Sequence, residues 1–357
     1  MNIHHYANQY GGGAGPRPRD KHQVTWQGNR VRAIVAAAAG GPEVLELRTL
    51  PDPVPDPDQV LVKVAAAGVN FIDTYRRSGQ YPMTFPHVVG SEGAGVVVAV
   101  GDQVTSLAVG DRVAWAQSAG SYAELQPVAA RQAVRVPGTV DDRTAAATML
   151  QGLTAHYLAT STVSLSPGDE VLVHAAAGGV GLLLTQLATI RGARVIATVG
   201  TTAKETLARE AGAAEVVRYT ELDDLTEDLP ALVHALTDGR GVDAVYDGVG
   251  AATFDASLAS LRPRGTLVLF GAASGQVPPV DPQRLNAAGS VYLTRPNLTD
   301  YVATRDELVT RTDNLFSLVA GGPLEVRVGA TYPLADAADA HRALESRQTT
   351  GKVLVLP

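Results

Sequence analysis

Cysteine is missing altogether from this chain, and aromatic residues make up only 5% of it. With no thiol there is no disulfide, no thiolate zinc site and no cysteine nucleophile. Long apolar runs are missing too. None reaches the roughly 18 residues that a membrane-spanning helix needs, so no membrane partner is expected. An excess of basic charge is also lacking. The formal net charge of −7 disfavours non-specific attraction to nucleic acid, and no basic stripe interleaved with aromatics is visible. The first residues carry no apolar signal-peptide core, which makes the cytoplasm the expected compartment. What is present is 357 residues, 45% hydrophobic and 18% charged, enough for two domains with separate cores.

The most informative stretch runs from Val171 to Ala188. Val171-Leu172-Val173 reads as a short strand and His174 to Gly181 as a turn of small residues. Val180, Leu183, Leu184 and Leu187 then fall on one helical face. Gly192 stops that helix, and Arg194 to Val199 is a second apolar strand. Ala176, Gly178 and Gly181 stand at the positions of a G-x-G-x-x-G turn, with Ala in place of the first Gly. Flanked by a strand and a helix, such a turn offers backbone N–H groups to a phosphate, so dinucleotide binding is expected.

Around this unit the chain divides by pattern. The polar, glycine-rich residues 1–30 read as a disordered extension. From Val31 to about Leu150 short β segments dominate, with alternation at Val60, Val62, Val64 and again at Val96, Val98, Val100. The prolines at 51, 53, 55 and 57 form a rigid connector. These strands suggest a small barrel, and Asp141 can cap the helix that follows. Strand candidates Glu215–Val217, Ala244–Tyr246, Thr266–Phe270 and Val291–Leu293 then continue the alternation. Helices are expected at Thr202–Ala211, Leu222–Leu236 and Ala252–Leu261. The rhythm is that of a doubly wound parallel sheet. Beyond Arg295 come a helical stretch, Asp300–Val319, a final helix, Ala335–Ser346, and a closing strand at Gly351–Val355. That strand finds no place in a complete six-stranded sheet, so it is expected to return to the first domain.

Asn70-Phe71-Ile72-Asp73-Thr74-Tyr75, Gly79-Gln80-Tyr81-Pro82, Gly90-Ser91-Glu92-Gly93-Ala94-Gly95, Ala116-Gln117-Ser118, His174 to Gly181, Gly200-Thr201, Val245-Tyr246-Asp247 and Arg295-Pro296 resemble the bacterial NADPH:quinone oxidoreductases. With their zeta-crystallin relatives these form the zinc-independent branch of the medium-chain dehydrogenase/reductase superfamily. The resemblance implies an α/β fold: a Rossmann doubly wound parallel sheet plus a GroES-like β-barrel catalytic domain. In this chain that means 31–152 as the first part of the catalytic domain, 153–294 as the NADPH-binding Rossmann domain and 295–357 as the return. It also implies a cofactor cleft between the domains, and a homodimer.

Zinc-dependent members carry Gly-His-Glu where this chain has Gly90-Ser91-Glu92, and cysteine ligands elsewhere. Two ligand types are therefore missing, and nothing in the spacing of His87, Glu92 and His156 supports a substitute set. Without a metal to polarise a carbonyl, the acceptor should already be electrophilic, either a quinone or an alkene conjugated to a carbonyl. An acid about twenty residues past the glycines would mark NAD selectivity. Here the second strand ends in Gly200-Thr201-Thr202 with Lys204 behind it, which favours a 2′-phosphate and hence NADPH. Tyr219 and Arg347 match family positions at the same end of the cofactor.

The diphosphate is expected on Gly178, Gly179 and Val180. Gly248 and the loop Phe270, Gly271, Ala272, Ala273 match the nicotinamide side, Gly248 standing where the family often has serine. By resemblance Phe71, Ile72, Asp73, Thr74, Thr154 and Tyr157 also border the cofactor. Asn70, Tyr75 and Tyr81 are the catalytic candidates, a tyrosine donating near the oxygen that gains charge. Gln151 stands where relatives can carry a basic residue, so a charge-based role is not expected of this position. An enone reductase uses the same cleft. A reading from another class is a nucleotide-holding RNA-binding or structural protein of the zeta-crystallin kind.

Overall fold

The computed structural model describes residues 30–357; the extension expected over residues 1–29 lies outside the described residues. The first domain opens with β1 (Arg30–Ala36), β2 (Leu45–Pro51) and the long β3 (Gln59–Val69). Pro51 ends β2, and the remaining prolines run as an unpaired connector into β3. There follow α1 (Phe71–Arg77), β4 (His87–Val88), β5 (Glu92–Val100), β6 (Arg112–Trp115), β7 (Leu125–Ala129) and β8 (Val134–Arg135). On β3 the alternation holds: Val60, Val62 and Val64 are buried and Lys63 is exposed. On β5 the phase is the reverse of the expectation. Val97 is fully buried, whereas Val96 and Val98 are half-buried and Val100 is exposed. Three consecutive valines carry no phase of their own, and the pairing with β3 and β6 sets it.

The long helix α2 (Asp142–Tyr157) joins the domains. Asp141 caps it, accepting from the backbone N–H groups of Arg143 at 2.9 Å and Thr144 at 3.0 Å. The second domain comprises β9 (Glu170–Val173), α3 (Gly179–Ile190), β10 (Arg194–Val199), α4 (Thr202–Glu210), β11 (Glu215–Arg218), α5 (Leu225–Leu236), β12 (Val242–Asp247), α6 (Phe254–Ala259), β13 (Leu261–Leu269), α7 (Pro282–Ala287) and β14 (Tyr292–Thr294). All six strands are parallel in the order β11-β10-β9-β12-β13-β14. The order turns back at β9, so its carboxyl end is the switch point where ligands sit in such sheets. Side chains alternate across the sheet. Val171, Val173, Val195, Ala197 and Val199 pack on one face with α2 and α3, while Leu172 and Ile196 join Leu229 and Val233 of α5 on the other.

Some expected boundaries move. The helix placed at Ala252–Leu261 is the shorter α6, and Leu261 already opens β13. The polar Arg262-Pro263-Arg264-Gly265 hides the start of that strand, which is irregular there, with Arg264 at φ 61°. Phe270 leaves the strand. Strand β14 runs to Thr294, one residue past the expected end. Helix α5 starts at Leu225, three residues beyond the expected Leu222, because Asp224 caps it. The stretch from Asp300 to Val319 is two helices, α8 (Leu298–Tyr301) and α9 (Arg305–Gly321), separated because Thr304 and Glu307 form a capping box.

The chain then forms β15 (Val328–Pro333), which sequence reasoning missed, α10 (Ala337–Glu345) and β16 (Lys352–Leu356). Strand β16 lies antiparallel to the end of β3, with Val353 opposite Val69, and parallel to β15. The carboxyl terminus therefore completes the first domain's larger sheet, in the order β15-β16-β3-β5-β6-β8. It also brings α10 and β16 to the edge of the nucleotide domain.

Candidate active site

A cleft between the domains runs along the carboxyl ends of β9, β10 and β12. At its floor, β9 gives way to His174, which is buried. Nδ1 of His174 lies 2.9 Å from the Thr198 hydroxyl and Nε2 lies 3.0 Å from Ser257 Oγ. Ser257 spends its hydrogen on Asp247, at 2.7 Å, so His174 donates through Nε2 and accepts at Nδ1. Burial holds its pKa below the ordinary value, and the ring stays neutral. One imidazole thus ties the ends of β9 and β10 to helix α6 beneath the turn, and Ser257 passes the link on to Asp247 at the end of β12.

The turn itself, Ala175 to Gly178, delivers the chain into α3 with no side chain capping the helix. Its first N–H groups are left for a ligand, and the helix dipole favours an anion. A Cβ at Gly181 would strike the Ala175 carbonyl and the Ala176 backbone, so only glycine lets the helix pack so close to its own strand. Gly178, Gly179 and Val180 all line the cleft.

At one end Gly200, Lys204, Tyr219 and Arg347 come together. The Tyr219 ring sits over Gly200, where a Cβ would come within 2.7 Å of its hydroxyl. Thr201 does not line the cleft; it caps α4 by accepting from the Lys204 N–H at 3.3 Å. Lys204 Nζ donates to the Arg347 carbonyl at 2.5 Å, and the Arg347 guanidinium donates to the Ala273 carbonyl at 3.1 Å. Among the described residues neither cation has a carboxylate partner. Burial lowers the Lys204 pKa. Two half-satisfied cations beside a glycine form an anion site.

At the other end the Phe270 ring lies over Gly248, where any Cβ would come within 2.8 Å of it. A serine at 248 would displace the ring, so Gly248 and Phe270 go together. Ala273 lines the cleft, while Gly271 packs against the Gly248 backbone. Across the gap Tyr75 reaches from α1 towards the Ala272 backbone N–H, and burial raises its pKa against the opposing influence of that N–H. Its ring is 5.4 Å from that of Tyr81.

Asn70 and Phe71 form the first domain's wall. The Asn70 amide is fully engaged. It donates to Glu92 at 2.9 Å and to the Gly68 carbonyl at 3.3 Å, and accepts from Lys352 Nζ at 2.8 Å. It is therefore part of the scaffold, not a free donor. Behind it Lys352 and Glu92 form a buried ion pair, and Glu92 also accepts from the Leu150 N–H at 2.5 Å. Burial pushes the Lys352 pKa down to about 7.

The structure turns several expected residues away from the cleft. Asp73 is buried, bonded to Ser91 and to the Asn70 N–H, and burial raises its pKa. Thr74 donates to the Phe71 carbonyl at 2.8 Å, and Ile72 does not line the cleft. Thr154 donates back to Leu150 along α2. Tyr157 is buried, stacked on Tyr301 with centroids 4.2 Å apart, because the turn of α2 carries it towards α8 and α9. Conversely, Gln151, His174, Leu225 and Leu344 line the cleft without having been expected there. Of these His174 carried a signal as the residue directly after the strand, and Gln151 as a position where relatives can carry a basic residue.

Two family models match the chain: a zinc-binding dehydrogenase model over residues 179–304 and an alcohol dehydrogenase GroES-like domain over residues 56–163. The chain is 45% identical over 328 residues to a quinone oxidoreductase of Pseudomonas aeruginosa, covering 91% of this chain and 99% of the relative. A 2-haloacrylate reductase of a Burkholderia species is 39% identical over 335 residues, covering 92% and 99%. Among solved structures, a mycobacterial protein complexed with NADPH superposes with a TM-score of 0.89 at 53% identity, covering 91% of this chain and all of that one. The chain belongs to the quinone oxidoreductase family.

The zinc in one family model's description does not fit this member's residues. Glu92 is committed to Lys352, Asn70 and Leu150, Ser91 to Asp73 and Arg76, and His156 to Asn314 and Arg311. Among the described residues no three His, Asp or Glu side chains converge on a point. NADPH does fit: an uncapped helix, a paired-cation end and Gln151, whose buried Oε1 is unpartnered, all border the cleft.

Proposed function

We propose that this chain reduces quinones with NADPH, without metal. Lys204 and Arg347 carry the reading, two cations meeting where an acidic residue would otherwise bind an unphosphorylated ribose. The 2′-phosphate of NADPH is the anion that suits them. When bound, the cofactor supplies a hydride from C4 of its dihydronicotinamide, which reaches a hydroquinone with one proton more. The Gly178–Val180 turn and the N-terminus of α3 hold the diphosphate. Phe270, Gly248 and Asn70 shape the nicotinamide end and exclude water. Tyr75 stands near the Ala272 N–H, and its hydroxyl is placed to donate to the acceptor oxygen as charge develops there. Tyr81 packs beside it, and water completes the protonation.

The second reading is an enone or acrylate reductase, favoured by the 39% identity to the 2-haloacrylate reductase. Steady-state rates with 1,4-benzoquinone, a naphthoquinone and a short enone, each with NADPH and NADH, decide between them. NADPH turnover fastest on the quinones is expected, enones outrunning both quinones would install the second reading, and turnover of neither class would overturn both. As to assembly, β14 is one edge of the parallel sheet and Tyr292 on it is 64% exposed. A second copy pairing along that edge makes a homodimer. A cofactor kept reduced inside the cell goes with a cytoplasmic location.

A further inference from the structure

Gln151 lies on α2 at the point where the first domain faces the phosphate turn. Its side chain lies across Gly179, where a Cβ would coincide with Oε1. Among the described residues Oε1 has no hydrogen-bond partner, although solvent does not reach it. An inaccessible acceptor left unpaired costs roughly 1–3 kcal/mol, so one in the wall of a ligand cleft is a place for a ligand's donor once a small turn of the amide brings it out.

The orientation of the amide is fixed from behind. Lys352, held by Glu92, donates to Asn70 Oδ1 at 2.8 Å. That oxygen therefore faces Gln151, and only the Gln151 NH2 can turn to it, at 3.5 Å. The buried cation thus sets two amides in series, and the second turns its oxygen away from Asn70 and against Gly179 in the cleft wall. Reversing it would set two carbonyl oxygens against each other.

The donor can be named from its place along the cofactor. A carbonyl oxygen repels phosphate oxygens, so the diphosphate stays on the N–H groups of Gly179 and Val180. Asn70 and Phe270 bound the far end, where the nicotinamide goes. Between the two lies the nicotinamide-side ribose, whose hydroxyls are donors.

Resting on the NADPH reading above, we propose that Gln151 is a cofactor-positioning residue that accepts a hydrogen bond from a hydroxyl of the nicotinamide-side ribose. It does not sense the 2′-phosphate, which lies at the opposite end by Lys204, so it serves NADPH and NADH alike. It sets how far the reduced ring advances towards Tyr75.

The test is a titration of Gln151→Met, which keeps the length and removes the acceptor. Four probes are used: NADPH, NADH, the reduced 3-acetylpyridine analogue of NADPH, and adenosine 2′,5′-bisphosphate. Loss of one hydrogen bond weakens the three dinucleotides by about tenfold each. The adenosine bisphosphate, which never reaches Gln151, keeps its affinity and so reports an intact fold. The slackened ring also lowers kcat, with a larger primary deuterium isotope effect on hydride transfer. Unchanged NADPH affinity would overturn the assignment. So would an equal loss for the adenosine fragment, which marks a structural role, or a loss spared in the acetylpyridine analogue, which marks the carboxamide as the donor. Gln151→Ala gives the same comparison should the methionine variant not be recovered. If the unsubstituted protein binds none of the dinucleotides, it is the NADPH reading that fails.

Discussion

The site depends on a few side chains whose partners leave something over. Lys204 and Arg347 each give one hydrogen bond to a backbone carbonyl and keep the rest of their charge for a ligand. A charged hydrogen bond contributes roughly 1.5–3 kcal/mol. Lys204→Ala is therefore expected to weaken NADPH by about ten- to a hundredfold and NADH hardly at all; equal losses in a fluorescence titration would remove Lys204 from the 2′-phosphate site. Tyr75 is similar, its hydroxyl lying near the Ala272 N–H with its hydrogen available to a ligand. For Tyr75→Phe we expect kcat on a quinone to fall about tenfold with little change in NADPH affinity, the scale of losing one neutral donor. Full activity would show that another group, or water alone, stabilises the oxyanion.

Among the elements, the strand–turn–helix from β9 to α3 has the least slack. A methyl at Gly181 meets backbone atoms of Ala175 and Ala176, which cannot swing aside as a side chain can. Gly181→Ala should cost about 1–3 kcal/mol in urea unfolding and weaken every dinucleotide by tilting α3; wild-type stability and affinity together would contradict that packing. Helix α10 is fastened differently. His341 is buried between Arg77, 2.9 Å from its Nδ1, and the Tyr122 hydroxyl, 3.2 Å from its Nε2, while Arg77 also pairs with Glu345. Burial, with Arg77 beside it, lowers the His341 pKa from 6.5 to about 3. Above pH 6.5 the site is neutral folded or unfolded. Below that the unfolded chain takes a proton that the folded one refuses until about pH 3, so stability falls as pH falls. The loss at pH 5 comes to about 2 kcal/mol from this group. His341→Gln should flatten that part of the difference between urea melts at pH 7 and pH 5, and an unaltered slope would assign the acid loss elsewhere.

At the scale of the molecule, the carboxyl terminus binds the two halves together. By pairing with β3, β16 carries Lys352 to Glu92, a residue 260 positions away, and brings Gly351 against the phosphate turn. Strand β14 is one of the two edges of the nucleotide sheet, opposite β11. Tyr292→Asp there places a charge on the strand expected to pair with a second copy. Sedimentation should then give a monomer mass for the variant and a dimer mass for the parent; a parent that sediments as a monomer ends that proposal.

Much of the layout was legible because its causes are local. Arg194–Val199 reads as a strand from six neighbouring residues, Asp141 caps a helix within three, and Gly192, at φ 83°, stops one. Lys204 could be placed by counting from the glycine turn, since the length of a βαβ unit is nearly fixed. The capping box that divides α8 from α9 was also there to be read, as Thr304 followed three residues on by Glu307. Strand β15 was not legible: its residues are alternately half-buried and exposed, and only β16 beside it makes it a strand. Nor was the turn of Tyr157 against Tyr301, since proximity to a motif along the chain does not say which way a helix faces.

The sequence alone determined the class of protein: an anion-binding turn between strand and helix, no cysteine or histidine where zinc would need them, and a lysine where an acid would otherwise choose NAD. Those are statements about residue types at short spacings, and short-range sterics and hydrogen bonding enforce them. Tertiary structure alone decided that Asn70 is spent on its neighbours, that Lys352 and Glu92 share one buried pair, and that Gln151 is left with an unpaired acceptor in the cleft wall. Each of these depends on charges and amides brought together from opposite ends of the chain. Burial, which makes their orientation matter, exists only once the two domains have closed around them.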